Sequence, residues 1–147
     1  MGSADLQSLV AANAEWFLGV RHESADSLDE AERLLGVPLP ISLRWLLSEH
    51  GYSSACGVAS LAMAVQETLR CRKAIGLPSQ YVLLEDRGDS GVVLLDAASV
   101  SGRVVWVGAL EVRGLIAGEA VEDADEFPDF ESWVRQCLED AKDWADG

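Results

Sequence analysis

Three short runs, YVLLED at 81–86, GVVLLDA at 91–97 and RVVWVGAL at 103–110, follow one another with only turn residues between them. Each is rich in valine and leucine, residues that suit a pleated, packed surface. Their nearly continuous apolar character predicts central strands, covered on both faces or covered on one and partly shielded on the other. The connections, Gly88 to Gly91 and Ala98 to Gly102, carry the glycines, aspartate and serines that turns favour. The block therefore reads as strands in hairpins, and the rest of the chain must cover it.

The covering elements are helical. Residues 4 to 19 place Leu6, Leu9, Val10, Trp16, Phe17 and Val20 at or near helical spacing. Ser27-Leu28-Asp29-Glu30 reads as a capping box that opens a helix running through Leu35 to a stop at Gly36. Val37-Pro38-Leu39-Pro40 is extended, because proline pushes its predecessor out of the helical region. Pro40 then opens ISLRWLLSEH, which stops at Gly51. Between Tyr52 and Gly76 the pattern suggests a strand over Val58 to Val65 and a short helix over Gln66 to Ile75. At the C-terminal end Asp129 is a good N-cap. Phe130, Trp133, Val134, Cys137, Leu138, Ala141 and Trp144 follow it in an unbroken apolar stripe. Pro128 ends any regular structure in the acidic stretch before that helix.

Helices, then hairpins, then a helix: this segregation argues an α+β fold with an antiparallel sheet. The expectation is one domain over 1–147, with N-terminal helices, a sheet of about five or six strands, and a C-terminal helix packed on it. At 147 residues such a chain buries roughly 70% of its unfolded surface.

Charge excludes several functions. With 11 basic and 25 acidic residues the formal charge is −14, which repels phosphate backbones and speaks against nucleic-acid binding. The same charge steers a cationic partner toward the chain. No apolar run reaches the ~18 residues of a membrane span. The N-terminus MGSADLQSLV lacks a basic region followed by an apolar core, so no secretory signal is expected. Three widely spaced cysteines form no CxxC pair, which points to a reduced, cytoplasmic setting without disulfide or zinc.

The stretch Glu30-Ala-Glu-Arg-Leu-Leu-Gly-Val-Pro-Leu-Pro40, continuing through Ser42-Leu-Arg-Trp-Leu-Leu-Ser-Glu-His-Gly51, resembles the N-terminal signature of the SUKH superfamily. There a short helix ends in leucine-glycine, an extended x-Leu-Pro follows, and a second helix ends near glycine. A second likeness is YVLLED, RGDSG, VVLLD: a strand, a glycine- and aspartate-rich turn, and a strand ending in Leu-Asp. A third is Phe127-Pro-Asp-Phe-Glu-Ser-Trp-Val134, similar to the start of the closing helix in that superfamily. Together they span about Ser27 to Leu138. One departure is the end of the second helix, where tyrosine or asparagine followed by glycines is usual and His50-Gly51-Tyr52 stands here. The superfamily is named after a yeast regulator of cell-wall synthesis, and its bacterial members are mostly immunity proteins that neutralise toxins of contact-dependent competition. The resemblance thus implies a cytoplasmic protein that binds a cognate toxin, a nuclease for instance, with no cofactor and no catalysis. An adaptor or regulatory scaffold with the same fold is the alternative, and a carboxylate enzyme a further one.

The residues themselves favour no chemistry. Cys56 and His50 are close in sequence but lack an orienting carboxylate or amide. Glu85-Asp86 and Glu122-Asp123 are neighbours that an acidic chain supplies by chance. Asp86, Asp89 and Asp96 do not follow the ligand spacing of a calcium loop. Arg87-Gly88-Asp89-Ser90 spells an adhesion string, and its glycines invite a phosphate reading that the adjacent carboxylates oppose. A hairpin turn explains it, with Arg87 and Asp89 as surface residues open to a partner. The stretch from Glu119 to Glu131 is the stronger candidate. Glu119, Glu122, Asp123, Asp125 and Glu126 have no basic residue among them, which suits either a solvated loop or a docking surface for a basic protein. The tryptophans read as core, except Trp144, which near the C-terminus is a candidate interface anchor.

Overall fold

The computed structural model describes residues 2–108, 111–119 and 124–146. Helices α1 (Gly2–Ala12), α2 (Ala25–Leu35), α3 (Ile41–Glu49) and α4 (Leu61–Ile75) precede strands β1 (Tyr81–Asp86), β2 (Val92–Asp96) and β3 (Val104–Val107). A short helix α5 (Val112–Ile116), strand β4 (Asp125–Phe127) and helix α6 (Phe130–Asp146) complete the chain. The fold is α+β, as the segregation of elements predicts. The sheet is antiparallel throughout, in the order β1-β2-β3-β4. It has four strands among the described residues, not five or six.

Two of the differences have clear causes. The expected strand at Val58 to Val65 is instead the start of α4, which runs unbroken from Leu61. Ser60 caps it by accepting a hydrogen bond from the Met63 N–H at 3.3 Å. The buried positions Leu61, Ala64, Val65, Thr68 and Cys71 fall at helical spacing. At α2 the cap is Ser24, whose Oγ accepts from Ser27 N–H, so the helix begins three residues before the Ser27 box. The helix expected over residues 4 to 19 ends at Ala12; Ala14–Trp16 is a separate 3-10 turn, and Val20 sits in an isolated bridge with Tyr52. The remaining helix-end signals hold. Helix α2 ends at Gly36, α3 begins after Pro40, and Asp129 accepts from Ser132 N–H at 2.7 Å to cap α6.

The sheet is covered on both faces. Val82, Leu84, Val93, Leu95 and Val104 pack toward the main core with Phe17, Leu43, Leu47, Phe130, Trp133 and Leu138. Tyr81, Leu83, Leu94, Val105 and Val107 form a second cluster with Cys71, Leu77 and Val112. This is why the strands read as apolar runs without alternation. Thr68 ties α4 to the sheet, because its Oγ1 donates to Ala64 C=O at 2.6 Å and accepts from Leu83 N–H at 2.8 Å.

One irregularity positions the site. Leu83 pairs with Leu94, but the next pair is Glu85 with Val93, so Leu84 is an extra residue in β1. Such a bulge bends the strand and re-aims the side chains beyond it. Val93 faces the main core, so its partner Glu85 is turned to that face as well.

Candidate functional site

Strand β4 ends the sheet. Among the described residues it pairs with β3 alone, Phe127 opposite Val104, Glu126 opposite Val105 and Asp125 opposite Trp106. Pro128 therefore does not exclude regular structure from the acidic stretch; it only follows a strand of three residues. Phe127 is held by Trp133, their ring centroids 5.1 Å apart. Asp125 and Glu126 are exposed. Glu126 is balanced by the residue just before β3, Arg103, whose Nη1 donates to its Oε1 at 2.7 Å and whose Nη2 lies 3.3 Å from Asp96. Asp96 in turn accepts from Ala98 N–H and Gln80, which occupies it in holding the β2–β3 turn. Asp125 has no ion pair among the described residues. Glu119 is exposed just beyond α5, while Glu122 and Asp123 lie outside the described residues.

The RGDS segment is a hairpin turn, as its composition predicts. Residues Gly88–Ser90 make a single 3-10 turn, and Gly88 and Gly91 sit at φ 59° and 103°. Arg87 N–H donates to Gly91 C=O at 2.8 Å to close it. The Arg87 side chain is more enclosed than a loop residue needs to be. Its guanidinium lies 4.7 Å over the Trp106 ring and 5.3 Å over that of Trp133. Its Nε and Nη2 both approach Oε2 of Glu85, at 3.2 and 3.1 Å. Both members of the pair keep only about a quarter of their side-chain surface, 26% and 27%. The two indoles are pinned in their turn, Trp106 Nε1–H donating to Ser90 C=O at 2.7 Å and Trp133 Nε1–H to Gly57 C=O at 2.9 Å.

Beside this pair is a polar cleft of about 210 Å³. The segment between α3 and α4 makes one wall, with Ser53, Ser54 and Gly57, and α6 contributes Cys137. The bulge in β1 brings Glu85 into it, and the hairpin turn brings Arg87. Sequence order gives no hint of the cleft, since its walls come from three segments far apart in the chain. Tyr52 anchors the first wall: its hydroxyl accepts from Leu61 N–H at 2.9 Å and donates to the Glu23 carboxylate. Its main chain bridges Val20 in both directions. The His50-Gly51-Tyr52 departure at the end of α3 thus has a structural use. Burial raises the Tyr52 phenol, reinforced by the hydrogen bond to Glu23.

The thiols are poor nucleophiles. Cys56 is fully buried and its Sγ donates to Val58 C=O. Burial raises its pKa, and pushes that of Cys137 up to about 12. His50 packs edge-on against Trp45, centroids 5.1 Å apart. No group of three histidines, cysteines or carboxylates gathers as a metal set among the described residues. No described helix is long and apolar enough to cross a membrane. Trp144 stands 88% exposed on the last turns of α6, where the apolar stripe has run past the core.

The SUKH_5 family model, described as SMI1-KNR4 cell-wall, matches residues 5–139. Curated proteins gave no match.

Proposed function

Because the chain belongs to the SUKH superfamily, we propose that it is a bacterial immunity protein, which binds one cognate toxin domain in the cytoplasm and neutralises it by occlusion. It needs no cofactor and performs no chemistry of its own. The observation that supports this most is the acidic edge: among the described residues β4 is the last strand of the sheet, it exposes Asp125 and Glu126, and it belongs to a chain of net charge −14. Such a surface suits a basic partner, for example a nuclease, whose own surface must attract nucleic acid. Charge complementarity of this kind governs on-rate and partner choice more than raw affinity.

The test is rescue. Co-expression is expected to protect a cell from one toxin and not from others. Reversal of Glu122, Asp123, Asp125 and Glu126 to lysine is expected to weaken that protection and to slow association most at low salt. Because Glu126 pairs with Arg103, unfolding of the variant is measured in parallel. A folded variant that forms the complex at an unchanged rate removes the acidic edge from the interface.

A further inference from the structure

The Glu85–Arg87 pair is left half satisfied. Arg87 lies flat over two indoles, so only the in-plane N–H groups of its guanidinium remain usable. Nε and Nη2 both go to one oxygen of Glu85, Oε2. Among the described residues, Arg87 Nη1 and Glu85 Oε1 make no hydrogen bond. In the wall of the same cleft, Ser53 Oγ is buried and has no hydrogen-bond partner. A buried hydroxyl without a partner is costly, and here it lines a cleft beside an ion pair whose spare N–H and oxygen still reach solvent, so a polar occupant has groups to meet on both sides.

Size and charge narrow that occupant. At about 210 Å³ the cleft is smaller than the ~300 Å³ at which small-molecule sites begin, and it suits one protein side chain. A carboxylate entering it meets Glu85, and an ammonium meets Arg87. An apolar side chain leaves all three unspent polar groups dry. Cys137 adds no charge, since its thiol stays protonated. A carboxamide brings an acceptor for Nη1, a donor for Oε1 and no charge. We infer that this cleft is a receptor for the side-chain carboxamide of a glutamine or asparagine carried by the protein partner.

Trp106, which lies under Arg87, is the register partner of Asp125, so that carboxylate of the acidic edge stands on the side of the sheet that carries the cleft, while Glu126, opposite Val105, faces the other side. The source of the amide rests on the reading of this chain as a protein-binding immunity factor, whereas the chemistry of the cleft does not. The acidic edge would draw in a basic partner, and the cleft would select the one that places an amide there.

The experiment uses the full chain without any toxin. Glutamine, glutamate, lysine and alanine, each capped as the acetyl methylamide, are titrated while the indole N–H resonances of Trp106 and Trp133 are followed by NMR. Capped glutamine is expected to shift both saturably in the millimolar range, with glutamate and lysine about tenfold weaker, as loss of a hydrogen bond to a charged group implies. Glu85→Gln frees Arg87, so that variant is expected to turn the preference toward capped glutamate. Equal shifts from capped alanine, or no saturable shift with capped glutamine, overturn the inference and leave water as the occupant. Stronger binding of free glutamine than of the capped form overturns the partner side chain as the source. Toxin binding that survives a failed titration strikes this inference alone, and a cleft that binds the amide while no toxin is neutralised strikes the immunity reading alone.

Discussion

The guanidinium of Arg87 lies 4.7 Å over the indole of Trp106, so the first residue of the RGDS turn is stacked on the sheet and does not point freely into solvent. The turn that looked like a signal is fastened at both ends. Arg87 closes it through Gly91, and Trp106 reaches back to Ser90. Arg87 therefore links stability to the cleft beside it.

Replacing Arg87 with alanine removes two stacking contacts and leaves Glu85 half-buried without its partner. The expected loss is about 1–3 kcal/mol, taking cation–π and enclosed-pair magnitudes together and discounting for the quarter of the surface still wet. Lysine restores charge but not the planar stack, so Arg87→Lys should recover less than half of it. Urea unfolding of both variants at fixed salt reads the difference. Equal stability of Arg87→Ala and the parent chain would mean the stack contributes nothing.

Thr68→Val keeps the shape and removes the hydroxyl that accepts from Leu83 N–H at 2.8 Å. The donor is buried beside the bulge, so valine leaves it without the partner it has now. A cost of about 1–3 kcal/mol follows. Thr68→Ser keeps the oxygen and should cost less. Hydrogen exchange at Leu83 should rise in the valine variant only.

Gly57→Ala tests the cleft wall. An added Cβ would meet Trp133 Nε1 at 2.8 Å and Cδ1 at 2.9 Å, at a backbone φ of 84°. Neither atom is the end of a flexible chain, and Trp133 is fully buried. A loss of about 2–4 kcal/mol is expected from the combined clash and strain. The Trp133 indole N–H resonance should move with it, and an unshifted resonance in a stable variant would contradict the close approach.

The alkaline limb of stability has a defined sign. Burial raises the folded Cys137 pKa from 9.0 to about 12, so the folded state holds a proton that the unfolded state gives up. Its contribution is complete below pH 9.0 and is lost as pH rises from there toward about 12. Unfolding midpoints across that window should fall, and Cys137→Ala should flatten the slope. An identical slope in the variant would assign the effect to other groups.

Trp144 is 88% exposed, so Trp144→Ala should change stability by no more than about 0.5 kcal/mol. If the end of α6 enters the interface, the same variant loses affinity for the toxin. Unchanged affinity would remove Trp144 from the interface.

Local chemistry determined much of this from the sequence alone. Valine-rich runs became β1 to β3, and proline, glycine and aspartate marked the ends of α2, α3 and α6, because turn and cap preferences act over a few residues. The misplaced strand at 58–65 was also a local matter: Leu61, Ala64, Val65, Thr68 and Cys71 already carry the helical period, and Ser60 the cap. Other features belong to the tertiary structure. Glu85 turns inward because β1 holds one residue more than its partner strand, a relation between two strands that neither sequence states. Glu126 finds Arg103 across a ladder, and Arg87 finds Trp133 from another element altogether. The cleft exists only where β1, α6 and the segment before α4 converge, because contacts between distant segments are decided by packing and not by the preferences of either segment.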